Sequence, residues 1–470
     1  MKDEYFDSEE FLDLLKEYEE ALQAGMPVFL DADELADIAD YYQMQDRYDD
    51  AVAAVDCALE REPNAVLPLV FKARDALSYG DVERAAEYLE RVDDKDDIEY
   101  HYASAELLIA QNKIEEADAL LRSKLSGMDS DDHQDYVVDV ANIYSDYGVH
   151  DKAMEWMMRA KHENTDDFME LMARTLFGIG KYEDSERLFN ELIDRNPFSK
   201  YYWNALASVQ FMNEDYGASV SSSEYAIAID PKDPEGLLSK ANGLFRLDNF
   251  EEALDYYERY AEVAPDDEFG FLHQGACLVN LGRYEEAAER LEQTLELTPE
   301  DSPYLPEIYQ ELGFAYSEMG QPETALFYLD QTDSMDCDHV DMLVIKGHVM
   351  LANDHLREAE QMFKDAIIQS GNAPKTLLRI IVSLYDNKYV RACYKMFKKY
   401  FKIVGPDTNE GYSYLALCCW DLKRYDEFLD YLKTAVERNP HEARVVLGVL
   451  FPEGLKPDDY YAHMKAYLKK

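Results

Sequence analysis

The chain has 470 residues, enough for two or three domains or for one long repeat array. It carries 98 acids against 46 bases, a formal net charge of −52, and such a field repels phosphate backbones and anionic lipid head groups. With 47% hydrophobic and 13% aromatic residues, and only 16 prolines and 20 glycines, it can bury a core and is not a disordered acidic tail.

The first ten residues are acidic and lack the basic and apolar regions of a secretory signal, so neither a signal nor a transit peptide is expected. No apolar run approaches the roughly 20 residues that span a bilayer, so no membrane insertion is expected. Six cysteines are scattered at 57, 277, 337, 393, 418 and 419, which makes no disulfide framework and points to a reducing, cytoplasmic compartment. Residues 8–24 read as an amphipathic helix with Phe11, Leu15, Tyr18 and Leu22 on one face and Asp7 or Ser8 as its cap. Residues 1–31 are therefore assigned to an N-terminal capping helix.

Beyond it, short segments recur: Lys181-Tyr182-Glu183-Asp184-Ser185, Asn249-Phe250-Glu251-Glu252-Ala253 and Arg283-Tyr284-Glu285-Glu286-Ala287 are three of six. Tyr182, Tyr216, Phe250 and Tyr284 are 34 residues apart, and so are Pro197, Pro231, Pro265 and Pro299. Each unit reads as two helices. In 268–299 the first carries Phe271, Gly275 and Leu278 on one face, and Gly282 permits the left-handed turn that ends it. Glu285 and Glu286 open the second helix, where the macrodipole favours carboxylates. Ala287, Leu291 and Thr294 continue the apolar face, and Pro299 stops it. Small residues at 275 and 287 suit a close helix crossing, and such a unit buries its faces only by stacking on neighbours.

The pattern resembles the tetratricopeptide repeat family, whose 34-residue unit has small residues at its eighth and twentieth places. The twentieth place falls on Ala51, Ala85, Ala117, Ala153, Ser185, Ser219, Ala253, Ala287, Ala325, Ala359, Ala392 and Phe428. The eighth falls on Ala39, Ala73, Ala105, Ala141, Ala173, Ala207, Ala241, Gly275, Gly313, Gly347, Ile380 and Ala416. Ile380 and Phe428 depart from the pattern, and the linkers around 93–98, 126–134 and 299–306 are irregular. The resemblance implies an all-α, right-handed superhelical α-α solenoid of about 10–12 hairpins over residues 32–440. Residues 441–470, with a short helix from Pro457 to Lys470, are assigned to a C-terminal cap.

Catalytic chemistry finds little room. There is no Gly-x-x-x-x-Gly-Lys phosphate loop, Gly-x-Ser-x-Gly elbow or His-Glu-x-x-His metal helix. Cys337, His339 and His348 match no metal-site spacing, and Cys418-Cys419 reads as apolar packing. No enzyme activity, cofactor or metal is expected.

The family's first helices line a concave groove with their second, fifth, ninth and twelfth places. Carried onto this chain, these are Arg174, Phe177, Tyr201, Asn204, Phe211, Leu238, Asn242, Phe245, Phe269 and Leu272, rings for apolar anchors beside amides for a peptide backbone. The chaperone cochaperones of this family hold a carboxyl terminus with lysine and asparagine at the fifth and ninth places. The pairs here, among them Val70/Arg74 and Val138/Asn142, lack the lysine, which argues against that subgroup's function.

Charge is uneven. Residues 1–150 hold 40 acids and 12 bases, whereas 375–402 hold eight bases and one acid. Arg391, Lys395, Lys398 and Lys402 share one helical face and suit an acidic partner or the acidic first third of another copy. The expected function is a non-catalytic scaffold or adaptor binding a protein or peptide segment in its groove, with self-association and without nucleic acid. The alternative is a regulatory sensor whose groove takes a small peptide or ligand and switches a partner.

Overall fold

Between the two helices of twelve pairs among the described residues the backbone enters the left-handed region, at Asp46, Gly80, Asn112, Gly148, Gly180, Glu214, Asp248, Gly282, Gly320, Asp354, Lys388 and Lys423. At Gly282, φ is 71°, the turn expected there. Five residues after each turn stands a side chain at most 1% exposed: Ala51, Ala85, Ala117, Ala153, Ser185, Ser219, Ala253, Ala287, Ala325, Ala359, Cys393 and Phe428. These are the crossing points of paired helices. In this computed structural model residues 5–6, 8–127, 133–160, 165–405, 408–452 and 454–468 are described, and they hold 27 α-helices and no strand.

One crossing differs from the sequence reading. Cys393, not Ala392, is the buried residue of its pair, and its Sγ donates to the Ile381 carbonyl at 3.5 Å. Ser185 Oγ donates to the Ala173 carbonyl at 2.8 Å over the same twelve-residue separation. The eighth place is thus Ile381, and Ala392 is exposed. Cysteine is nearly as small as alanine, so the crossing tolerates it.

The chain divides into two compact units, residues 1–215 and 216–470. The first contains α1 (Glu9–Ala24), then α2 (Ala32–Met44), α3 (Tyr48–Arg61), α4 (Val66–Ser78), α5 (Val82–Glu90), α6 (Ile98–Ala110) and α7 (Ile114–Leu125). It continues with α8 (His133–Asp146), α9 (His150–Met157), α10 (Asp166–Gly178), α11 (Tyr182–Arg195) and α12 (Lys200–Met212). Ser8 Oγ accepts from the Phe11 amide at 3.2 Å and caps α1. Asp7, the other expected cap, lies outside the described residues, as do residues 128–132 of the irregular 126–134 linker and Lys469–Lys470 of the expected tail helix. Phe11 and Tyr18 are buried as expected, but Leu22 is 54% exposed and Ala21 takes its place, because the buried face turns through 11, 14, 18 and 21. Deeper in this unit the Trp156 indole is fully buried and donates to Asp118 at 2.9 Å.

The second unit contains α13 (Tyr216–Ile229), α14 (Pro234–Arg246), α15 (Phe250–Val263), α16 (Glu268–Asn280), α17 (Tyr284–Leu297), α18 (Leu305–Glu318) and α19 (Pro322–Asp330). Then follow α20 (His339–Ala352), α21 (Leu356–Gln369), α22 (Pro374–Asp386), α23 (Val390–Val404), α24 (Tyr412–Asp421), α25 (Tyr425–Arg438), α26 (Pro440–Leu447) and α27 (Pro457–Tyr467). Each helix packs on the next, and four first helices also meet the first helix of the following pair, α16 on α18, α18 on α20, α20 on α22 and α24 on α26, the stacking of a solenoid. Gly275 shows why the eighth place is small: a Cβ there would meet Leu291 Cδ2 at 2.4 Å. Helix α26 was not anticipated. After α26 the ring of Phe451 stacks on Tyr460 of α27 with centroids 3.8 Å apart.

Candidate functional site

In the first unit the first helices α2, α4 and α6 enclose a cavity of about 690 Å³. Its floor is apolar, with Ala36, Leu67, Val70 and Phe71, and its rim carries Asp37, Asp40, Asp75 and Glu99. Arg74 stands in it with its charge already answered. Its guanidinium donates to Glu106 at 2.9 and 3.0 Å and to Glu99 at 3.0 Å. Burial would lower the Arg74 pKa, but the Glu106 and Glu99 carboxylates outweigh it and hold it above its ordinary value. Tyr48, at the start of α3, donates its hydroxyl to Asp75 on the same rim.

Along this wall the next repeats repeat the motif. Arg174 donates to Asp146 at 2.5 Å and to Asn142 at 3.5 Å. Arg74, Glu106, Asn142 and Arg174 all occupy the ninth place of successive first helices, 32, 36 and 32 residues apart. Arg174 is one of the expected groove residues, whereas Arg74 was considered only as half of a clamp pair without its lysine, and Glu106 was not expected in the groove. Opposite charges at one place of adjacent repeats were the available signal.

The other expected groove residues of this unit divide. Tyr201 is 43% exposed, Phe177 and Phe211 are half-buried, and the Phe177 ring lies 5.9 Å from Tyr182. Asn204 is only 2% exposed and sits in the interior.

In the second unit Leu238, Phe245 and Phe269 are half-buried, whereas Leu272 is fully buried in the core. The Tyr257 hydroxyl donates to the Asn242 side-chain oxygen at 2.7 Å, so this amide is engaged with the fold. The rings converge on a histidine the sequence reading did not name. Phe269 stacks on His273 at 4.0 Å, Phe245 meets it at 5.9 Å, and Tyr257 at 5.2 Å. His273 Nδ1 donates to the Phe269 carbonyl at 3.2 Å. Burial pushes the His273 pKa down to about 4, so the ring is neutral at physiological pH and behaves as one more apolar wall.

The basic stripe of α23 also divides. Arg391, Lys395 and Lys402 are exposed and carry no ion pair among the described residues. Lys398 turns inward, with its ammonium 3.2 Å from Glu427, hydrogen-bonded to Tyr431 and 4.7 Å from the centre of that ring. Lys399 is exposed instead.

No group of residues suited to a metal occurs among the described residues. Burial pushes Cys277 and Cys419 up to about 12, so both thiols stay protonated. No helix among the described residues is long and apolar enough to cross a membrane.

The sequence profile of the tetratricopeptide repeat family matches residues 171–234, 238–302 and 391–443. Over those residues the chain carries tetratricopeptide repeats. Proteins of this family act in general as protein-interaction scaffolds. No curated protein matches the chain. Among solved structures, yeast Tom70 is 14% identical, with 93% of this chain and 96% of that one covered at a TM-score of 0.44. A tetratricopeptide repeat protein from Parabacteroides merdae is 15% identical, with 60% and 97% covered at a TM-score of 0.39. The Cut9-Hcn1 hetero-tetramer of APC/C is 13% identical, with 96% and 95% covered at a TM-score of 0.37.

Proposed function

We propose that this tetratricopeptide repeat chain is a non-catalytic scaffold that holds a segment of a partner protein against its first helices. The observation that carries this reading is the cavity of about 690 Å³ on α2, α4 and α6, with an apolar floor and a rim of carboxylates. A segment presenting an apolar side chain to Leu67 and Phe71 and a lysine or arginine to the rim satisfies both parts of it. In the second unit, Phe245 and Phe269 offer a further apolar wall beside neutral His273. On this reading residues 32–440 form the repeat array, with residues 1–31 and 441–470 as its caps. Six free cysteines fit a reducing, cytoplasmic setting.

The test is selection from a peptide library on the immobilised chain, repeated with Leu67→Lys. Leu67 is half-buried, so this variant should melt like the parent. Enrichment of peptides pairing a cation with an apolar residue, lost in the variant, is the expected result. Enrichment indifferent to cations, or retained in full by Leu67→Lys, rejects this groove.

A further inference from the structure

The α23 stripe has a counterpart on the chain's own surface. On α5, Glu83, Glu87 and Glu90 follow at spacings of four and three, are exposed, and carry no ion pair among the described residues. The two arginines beside them are engaged elsewhere: Arg84 donates to the Tyr88 hydroxyl at 3.2 Å and Arg91 to the Pro63 carbonyl at 2.8 Å. On α23 the exposed cations are Arg391, Lys395, Lys399 and Lys402, at spacings of four, four and three. At 1.5 Å per residue the carboxylates extend over about 10 Å and the cations over about 16 Å, so one ridge covers the other.

We propose that α23 of one copy packs against α5 of a second copy, with Arg391, Lys395, Lys399 and Lys402 facing Glu83, Glu87 and Glu90. The inference does not rest on the groove described above and uses a different surface. The contact joins unlike faces, so a pair of copies keeps one free face of each kind, and association continues into a ring or a chain of copies.

Ionic strength gives the contact a signature. At low salt the −52 net charge of each copy drives copies apart. At about 0.15 M the Debye length is about 8 Å, so distant charge is screened while facing ridges still attract. At about 0.5 M the exposed pairs are screened as well. Association therefore peaks at intermediate salt.

The experiment is sedimentation velocity across protein concentration at about 0.01, 0.15 and 0.5 M salt, on the parent and on two variants, E87K/E90K and K395E/K399E. All four positions are exposed, and equal melting temperatures will show that the variants fold. We expect the parent's sedimentation coefficient to rise with concentration most at the middle salt. Each variant alone should stay monomeric, and an equimolar mixture of the two should associate again, since each supplies the face the other now needs. A parent that is monomeric in every condition overturns the proposal, even if it retains a foreign acidic protein. So does a single variant that associates like the parent, or a mixture that does not recover.

Discussion

The Lys240 ammonium lies 2.7 Å from the Glu224 carboxylate, sixteen residues back on the preceding helix. The same sixteen-residue step joins Lys72 to Asp56 at 2.7 Å and Lys346 to Asp330 at 2.8 Å. In each case a lysine on a first helix, buried at 240 and 346 and half-buried at 72, reaches back to a more exposed acid on the second helix before it. The pair ties one repeat to the next through side chains alone.

Removing the two partners should have unequal effects. Burial opposes the Lys240 charge, and Glu224 and the Tyr256 hydroxyl sustain it. Glu224→Ala leaves that buried ammonium with Tyr256 only, whereas Lys240→Met leaves an acid that water can solvate. We expect Glu224→Ala to cost about 1–2 kcal/mol and Lys240→Met less, as read from urea unfolding. The reverse order would mean that the exposed acid carries no part of the contact.

Gly275 tests the helix crossing. Gly275→Ala should cost about 1–3 kcal/mol, because Leu291 must move to admit the methyl. Adding Leu291→Ala to that variant should cost less than the separate effects combined, since the clash disappears with the leucine. Simple additivity in thermal unfolding would place the crossing elsewhere.

The two groove asparagines should now behave as structural residues. Asn242→Ala removes the acceptor of the Tyr257 hydroxyl and should lower stability by about 1 kcal/mol. Tyr201→Ala, at an exposed ring, should leave the melting temperature within error and be felt only in partner binding. An Asn242→Ala protein that melts like the parent would restore that amide to the ligand.

His273 makes the second unit sensitive to acid. Its folded pKa, pushed down to about 4, lies below the ordinary value near 6.5, so the unfolded chain binds a proton first. Stability is then full above about pH 6.5 and falls as the pH drops toward 4, by about 2–3 kcal/mol at most. Denaturation midpoints measured from pH 7 to pH 4 should fall more steeply for the parent than for His273→Gln. Parallel profiles would show that the ring is solvated.

The 34-residue period, the paired helices and the small residues at their crossings were legible in the sequence because they are local and repeat. A turn residue, a buried small residue five places on and a proline at the helix end each leave a mark whatever the neighbours are. What failed was what depends on contacts between helices. Cys393 replaced Ala392 because the crossing asks for size, not for alanine, and only the Ile381 carbonyl reveals the register. Asn204 and Leu272 occupy places that the family pattern turns toward a groove, yet both are buried by their neighbours. Lys398 and Lys399 are adjacent on α23, and Glu427 and Tyr431 on α25 decide which of them stays exposed. Sequence period sets where a side chain starts from the helix. Which side chains remain open to a partner is settled by the helix packed beside it, through burial, hydrogen bonds and charge.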